Sequence, residues 1–297
     1  MSNISEQRRG IIEMVLAMFL MGTVGYFVVE TRISAHDLVF FRCLFGIIFL
    51  SLYCFAYGLF KNTQLTKKIL FIIALSGFFL IINWILLFES FKLSSISTST
   101  VVYHVQPFFF VIIGAIILRE SIPKNKMLWM FLAFIGLIFV VDIDIKSFSF
   151  TSDYIIGISL ALVAAIFWAI SAILVKYVKG IKPHLIVLIQ LIVGIFILFP
   201  FTNIKMMSYA TNAQWGYLII LGGVHTCLTY ILMYSAYQKL STTVIAVLTF
   251  IYPAVAIIVD FVCYGKSLNA FQLLGVFLIM FSSFAVNQNI PFTLKKK

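Results

Sequence analysis

Charge is what this chain has least of. Only 10% of its 297 residues are charged, with ten acidic residues against 21 basic ones, whereas 63% are hydrophobic and the mean hydropathy is +1.12. A soluble protein of this length could not bury so much apolar surface. The net charge of +11 does not indicate nucleic-acid binding, because the basic residues stand between apolar runs, as loop anchors do. The sequence therefore predicts a polytopic membrane protein.

Patterns that would indicate an enzyme or a cofactor are also missing. The four cysteines lie in apolar runs without a CxxC or Cys/His spacing, and the four histidines show no HxxxH or HExxH pattern. No phosphate-binding loop is present, so ATP-driven transport would need another subunit. We therefore expect neither a catalytic site nor a metal or cofactor. The first apolar run is too long for a cleavable signal and is expected to remain as an anchor.

Ten apolar runs are each about long enough to cross roughly 30 Å of hydrocarbon. The alternating pattern of a membrane barrel is absent from them. The predicted fold class is an all-α membrane protein with ten transmembrane helices. The expected spans are 11–29, 37–58, 68–90, 95–118, 127–142, 154–176, 184–201, 214–236, 242–264 and 270–287.

The basic residues predict how the chain is oriented. With a cytoplasmic N-terminus, fifteen of them fall in the inner segments and five in the outer ones, while Arg42 lies inside a span. Cytoplasmic loops carry this excess of lysine and arginine. We expect both termini on the cytoplasmic side of a bacterial inner membrane.

The chain also repeats itself. Residues 33–50 align with 181–198, which places Arg42 on Gln190, and Pro107 aligns with Pro253 further along. Each half has five spans, an odd number, so the halves should cross the membrane in opposite directions. Inverted repeats of this kind are typical of transporters with a substrate site near the midplane. The expected units are residues 1–146 and 147–297.

Several segments are similar to a known family. FFRCLFG in the second span, NWILLFESFKL in the third and VQPFFFVIIGAIILRE in the fourth resemble the EamA-type drug/metabolite transporters, as do ILMYSAYQKLSTT and TFIYPAVAII in the second half. The resemblance covers nearly the whole chain. It implies a basket of ten helices around a central cavity and transport of amino acids or related metabolites, often outward. The second half departs from the pattern at Lys266, which stands opposite Glu120 of the first half.

Polar and aromatic residues at mid-depth are the candidate binding site. Polar groups are costly in hydrocarbon, so they should face the bundle interior or a watered cavity. Pro107 is expected to free the helix carbonyl near Tyr103, and the central aromatic rings could stack on a solute. The predicted substrate-binding residues are Asn83, Trp84, Tyr103, His104, Gln106, Trp168, His225, Tyr230 and Tyr252.

Arg42 and Glu89 are the candidate vestibule and coupling residues. A charged side chain inside a span should have a partner, and Glu89 lies at a similar predicted depth to Arg42. Arg42 can also bind a carboxylate with two parallel hydrogen bonds. The alternative is a static structural pair. Glu120 is expected at the inner boundary, where Arg119 or Lys124 could pair with it.

The leading functional prediction is a secondary transporter that works by alternating access. Arg42 and the central aromatic residues favour an amino acid with an apolar or aromatic side chain. The family resemblance implies export as the direction. The runner-up is a cationic metabolite or drug of the choline or quaternary-amine type, which Glu89 and several tyrosines would suit. A channel or an intramembrane enzyme is less favoured. Proton coupling and facilitated diffusion are both allowed, as are a monomer and a homodimer in the lipid bilayer.

Overall fold

The described part of the chain is helical and contains no strand. A computed structural model describes residues 2–60, 65–94, 99, 102–141, 152–203, 210–265 and 269–292. We number ten helices along these ranges. They are α1 (Ser2–Thr31), α2 (Ala35–Ala56), α3 (Lys67–Leu93), α4 (Gln106–Ile117), α5 (Lys124–Val141), α6 (Ser152–Tyr177), α7 (Pro183–Leu198), α8 (Asn212–Lys239), α9 (Thr242–Tyr264) and α10 (Ala270–Asn287).

Each helix overlaps one of the predicted spans, and the all-helical fold is confirmed for the described residues. Eight of the helices are long and apolar enough to cross a membrane. The exceptions are α5, of 18 residues, and α4, of 12 residues. Part of the predicted fourth span, residues 95–98 and 100–101, lies outside the described ranges. The count of ten membrane spans therefore stays a prediction.

Polar caps begin several of these apolar helices. The Thr66 hydroxyl accepts a hydrogen bond from the Ile69 backbone N–H at 3.3 Å at the start of α3. Reciprocal capping boxes begin α8, with Thr211 and Gln214, and α10, with Asn269 and Gln272. Such side chains satisfy the backbone N–H groups that a first helical turn leaves without partners. The apolar runs therefore have defined beginnings.

Helix contacts repeat between the two halves. α3 packs on α6 as α1 packs on α8, and α4 packs on α6 as α9 packs on α1. α2 packs on its own counterpart α7, and α5 packs on α10. A two-fold relation between the halves would give this set of contacts. The opposite direction of the two halves across the bilayer, and their division at residue 146, stay predictions.

Two corresponding helices are interrupted near their middle. A turn at His104–Val105 precedes α4, and a turn at Thr249–Phe250 divides α9. The expectation that Pro107 lies inside a continuous helix is wrong, because α4 begins at Gln106 and Pro107 occupies its first turn. Proline is tolerated there since that N–H would have no intrahelical acceptor. The two interruptions meet: the rings of His104 and Phe250 are 6.5 Å apart.

Helix α8 widens in its centre. Residues Leu221–Leu228 form a π-helix between two α-helical segments. The hydroxyls of Thr226 and Thr229 donate to the carbonyls five residues earlier, those of Leu221 at 2.7 Å and Val224 at 3.1 Å. The hydroxyls share these carbonyls with the π-helical backbone ladder, and both donors are thereby satisfied inside the bundle, where no bulk water can do so. π-Helical bulges are frequent at functional sites.

Two glycines allow α5 and α10 to pack backbone against backbone. A Cβ atom on Gly275 would lie 2.5 Å from the carbonyl oxygen of Gly136, and one on Gly136 would lie 2.8 Å from that of Gly275. Small residues permit such close approach between membrane helices. Gly25 in α1 differs, because a Cβ atom there would meet nothing within 4 Å.

Gly275→Ala should therefore destabilise the protein by about 1–3 kcal/mol, since an added methyl would overpack a backbone contact. Gly25→Ala is the matched control and should leave stability unchanged or slightly improved, because alanine favours a helix more than glycine does. Thermal unfolding of the purified proteins in one detergent measures both. Equal melting temperatures for the two variants would contradict the assigned contact.

Candidate functional site

Arg42 of α2 is buried, and no acidic side chain among the described residues pairs with it. Only 4% of its surface is exposed. Its Nε donates to the Thr226 hydroxyl at 3.2 Å, and its guanidinium carbon lies 5.1 Å from the centroid of the Trp84 ring. The expected ion pair with Glu89 is not found among the described residues. Glu89 lies half-buried near the far end of α3 instead.

The π-helix of α8 orients the group that holds Arg42. The hydroxyl hydrogen of Thr226 is donated to the Leu221 carbonyl, so its oxygen is free to accept from the Arg42 Nε. A guanidinium has five N–H donors. The other four of Arg42 have no hydrogen-bond acceptor within the described residues. Thr226 thus fixes the position of Arg42, while four N–H groups of the guanidinium can still donate to a ligand.

Aromatic rings continue from Arg42 along one face of α8. The Trp84 ring meets Tyr230 edge to face at 6.1 Å, and Tyr230 meets Tyr234 at 5.5 Å. Tyr234 in turn lies 5.7 Å from Tyr237. These three tyrosines are spaced i, i+4 and i+7, as residues on one helix face are. That spacing was visible in the sequence, although only Tyr230 was predicted as a site residue.

Tyr103, His104 and Tyr252 lie at the helix interruptions. The His104 ring is 4.8 Å from the Tyr252 ring and 6.0 Å from that of Tyr103. The Tyr103 hydroxyl lies 3.2 Å from the amide nitrogen of Asn83, the residue before Trp84. The structure therefore brings five predicted aromatic or histidine residues and Arg42 into one neighbourhood. We name Arg42, Trp84, Tyr103, His104, Tyr230 and Tyr252 the central cluster.

Asn83 supports this cluster from α3. Its amide nitrogen donates to the Ala164 carbonyl of α6 at 2.8 Å and to the Tyr103 hydroxyl at 3.2 Å. Asn83 has no exposed surface. Its amide N–H groups are therefore committed to protein acceptors, and its geometry is that of a tie between helices rather than of a direct ligand contact.

Three further predicted residues surround the cluster. Trp168 packs on Phe110 at 5.8 Å, and His225 packs on Phe27 at 4.9 Å. Gln106 begins α4 beside the interruption and is 2% exposed. Within the described residues, the Gln106 Oε1 and the His225 Nδ1 are buried without a hydrogen-bond partner. Both atoms can accept a hydrogen bond from a bound solute or from water.

The second half makes a related but neutral contact. Gln190 of α7 donates to the Ser76 hydroxyl of α3 at 2.8 Å and accepts from the Tyr234 hydroxyl at 2.6 Å. It occupies the position that aligns with Arg42. Its amide is satisfied by these partners, so this contact resembles a structural tie. Aligning the two halves of the sequence showed that both residues are polar. It did not show that the Gln190 amide has hydrogen-bond partners for both its nitrogen and its oxygen, whereas Arg42 has a partner for its Nε alone among the described residues.

The cluster can bind an anion next to aromatic surface, and the described residues do not suggest a metal. No group of three or more His, Cys, Asp or Glu side chains among them is arranged to hold a metal ion. The guanidinium of Arg42 and the π faces around it instead suit a planar carboxylate and an apolar group.

Comparison with known proteins identifies the family. The model of the EamA-like transporter family matches the chain twice, at residues 8–142 and 155–288. The chain belongs to the EamA-like transporter family. It is a multi-pass membrane transporter, as its resemblance to that family predicted.

Two relatives agree with this membership, and a solved structure shares the fold. An uncharacterized transporter of Bacillus subtilis, YxxF, is 30% identical over 92% of this chain and 88% of its own length. The pseudopaline exporter CntI of Pseudomonas aeruginosa is 24% identical over 82% of this chain and 84% of its own. A crystal structure at 14% identity matches with a TM-score of 0.81, covering 95% of the transporter and 97% of that chain. That last likeness shows the fold alone.

Ion pairs fasten the α8–α9 turn of the transporter at the end predicted to be cytoplasmic. Lys239 contacts Glu13 of α1 at 2.5 Å, and Glu13 also pairs with Arg9 at 2.9 Å. On the other side of the turn, Lys176 of α6 pairs with Glu120 at 3.3 Å. The turn is therefore attached to helices from both halves.

Glu120 also caps α9. Its Oε2 accepts from the Thr242 backbone N–H at 2.8 Å and from the Thr242 hydroxyl at 3.0 Å. The Lys176 amine donates to the carbonyls of Tyr237, at 3.1 Å, and Leu240. The expected pairing of Glu120 with Arg119 or Lys124 is wrong, because the carboxylate turns to α6 and α9 instead. A carboxylate at a helix N-terminus is favoured by the helix dipole.

Glu120→Ala should loosen this end of α9. Removing hydrogen bonds to a charged group costs about 1.5–3 kcal/mol when the partner stays unsatisfied, and less where water can replace it. Hydrogen exchange of the backbone amides in Thr242–Leu248 should therefore become about tenfold faster.

Glu6→Ala provides the control. Glu6 is an exposed carboxylate at the same end of the bundle, and its removal should leave exchange in α9 unchanged. Equal acceleration by the two substitutions would show that net charge, rather than the contact with Thr242, controls the opening.

Proposed function

We propose that the transporter exports a small carboxylate-bearing metabolite, an amino acid with an apolar or aromatic side chain, by alternating access. The observation that carries this proposal is Arg42, a buried cation held by Thr226 and Trp84 with no acidic partner among the described residues. Proton coupling and facilitated diffusion are both compatible with it.

A buried cation without a counter-charge favours an anionic ligand. An arginine at the centre of a membrane helix costs about 2.5–3.5 kcal/mol on insertion scales. A substrate carboxylate would offset part of that cost and would take two of the terminal N–H donors in parallel. Because the Nε is already bound to Thr226, the guanidinium would not need to reorient when the substrate arrives.

The aromatic neighbours favour an apolar or aromatic substrate side chain. Trp84 presents its ring to the cation, and Tyr230 packs edge to face on Trp84. Offset or edge-to-face contacts with such rings contribute about 0.5–1.5 kcal/mol beyond burial. A cationic metabolite of the quaternary-amine type is the alternative, since tyrosine and tryptophan faces attract cations. Arg42 weighs against it, because the guanidinium would repel a second positive charge.

The interrupted helices and the fastened turn suit alternating access. Interrupted helices form the midplane site of many transporters with inverted repeats, and the interruptions of α4 and α9 meet at His104 and Phe250. The ion pairs of Glu13 and Glu120 would close the cytoplasmic end of the bundle in one state. In the other state these pairs would separate and that end would open. The pseudopaline exporter among the relatives supports export as the direction.

The proposal is tested by transport into proteoliposomes with a panel of amino acids, with and without a pH gradient. We expect saturable transport of at least one apolar or aromatic amino acid. No saturable amino-acid transport, together with clear choline flux, would overturn it. A rate that changes with the pH gradient would indicate proton coupling.

Arg42→Gln should then raise KM for that amino acid by about 10- to 100-fold, the loss expected for a hydrogen bond to a charged group. It should also remove the preference for the amino acid over its amide. Arg42→Lys keeps the charge but lacks the planar fork, so its KM should lie between those of the unsubstituted protein and Arg42→Gln.

Arg32→Gln is the matched control. Arg32 is an exposed cation in the α1–α2 connection, so its removal changes the net charge equally without touching the cluster. It should leave KM unchanged. An Arg42→Gln protein that is stable in detergent and keeps its affinity and its preference for the acid would contradict the proposed role.

Thr226→Val should lower affinity through Arg42. The substitution keeps the shape of the side chain but removes the acceptor of the Nε, so about 0.5–1.5 kcal/mol should be lost, corresponding to a KM roughly two- to tenfold higher. Thr226→Ser keeps the hydroxyl and should retain most of the affinity. A serine variant as impaired as the valine variant would mean that the methyl group, rather than the hydrogen bond, is what matters.

A further inference from the structure

A cavity of about 540 Å³ opens between three helices, away from the central cluster. It lies where α3 begins and where α4 and α6 end, which is the end predicted to be cytoplasmic. The lining residues are Thr66, Lys68, Ile69, Ile72, Ile117, Leu118, Tyr177, Val178 and Lys179.

The polar part of this cavity is positively charged. Lys68 and Lys179 are exposed lining residues, one on α3 and the other after α6. None of the nine lining residues is acidic. The nearest acidic side chain in sequence, Glu120, is bound to Lys176 and Thr242. The lysines therefore have no carboxylate of the lining to neutralise them.

The remaining lining is apolar and continues onto the outer surface of the bundle. Ile69, Ile72, Ile117 and Leu118 form this part of the cavity. Beside them, Phe71 and Ile116 are 67% and 73% exposed. A ligand here would contact amines and a tyrosine ring at one end and hydrocarbon at the other. Such walls suit an amphiphile with an anionic head.

We propose that this cavity binds the phosphate headgroup of an anionic phospholipid from the cytoplasmic leaflet, with Lys68 and Lys179 contacting the phosphate and an acyl chain lying along α3 and α4. Basic pockets between membrane helices on the cytoplasmic side bind anionic headgroups in this way. Tyr177 is the last residue of α6, and aromatic side chains at the ends of membrane helices often anchor to headgroups. The proposal does not depend on the substrate or direction of transport.

Thermal unfolding of the full-length protein in detergent tests the site. Added dioleoylphosphatidylglycerol should raise the melting temperature by several degrees, because a ligand that binds only the folded state stabilises it. Dioleoylphosphatidylcholine, which has no net charge, should have a much smaller effect. Lys68→Gln/Lys179→Gln should lose most of the response to the anionic lipid.

Lys124→Gln/Lys126→Gln is the matched control, since it removes two lysines at the same end but outside the cavity. It should keep the full response. A Lys68→Gln/Lys179→Gln protein that responds like the unsubstituted one, or equal shifts with both lipids, would overturn the proposal. Equal stabilisation by glycerol 3-phosphate would assign the cavity to a free phosphate ester and also overturn it.

Discussion

The cost of burying the charge of Arg42 is the constraint on which the centre of this protein depends. In hydrocarbon a guanidinium must find acceptors or a π face within the protein. Arg42 has one of each, the Thr226 hydroxyl and the Trp84 ring. Neither carries a negative charge, so the described residues hold the cation in position without neutralising it. The positive charge of Arg42 is therefore not compensated by these contacts, and the proposed anionic substrate would compensate it.

Irregular backbone lies where side chains from the two halves meet. In an α-helix the hydroxyl of a threonine competes with the ladder for carbonyls three or four residues back. In the π-helix of α8 the Thr226 hydroxyl reaches the carbonyl five residues back, and its oxygen faces α2. The turns at His104 and Phe250 similarly bring rings from both halves together. Each departure from regular helix lies inside the bundle, where neighbouring helices can satisfy the backbone.

The helix positions were predictable because the length of an apolar run is set by membrane thickness. The expected spans 154–176 and 270–287 differ by at most two residues from α6 and α10. Partners across the bundle were not predictable in the same way. Thr226 is 184 residues from Arg42 along the chain, and nothing local in the sequence indicates that the two meet. The charge of Glu89 suggested a pair, whereas a hydroxyl and a ring are the contacts that formed. The π-helix likewise depends on side-chain hydrogen bonds that periodicity does not reveal.

The difference between the two halves follows from the same electrostatics. The repeat places Gln190 where Arg42 stands, and both reach across to a hydroxyl, that of Ser76 or Thr226. Two buried guanidinium groups around one small site would repel each other in a low dielectric, and a single carboxylate could not neutralise both. Replacing one by an amide whose partners are Ser76 and Tyr234 removes that repulsion. It also makes the two sides of the cluster different, so that the proposed carboxylate substrate would have one preferred orientation. The fold keeps its two-fold contacts, while the buried charge of Arg42 belongs to the first half.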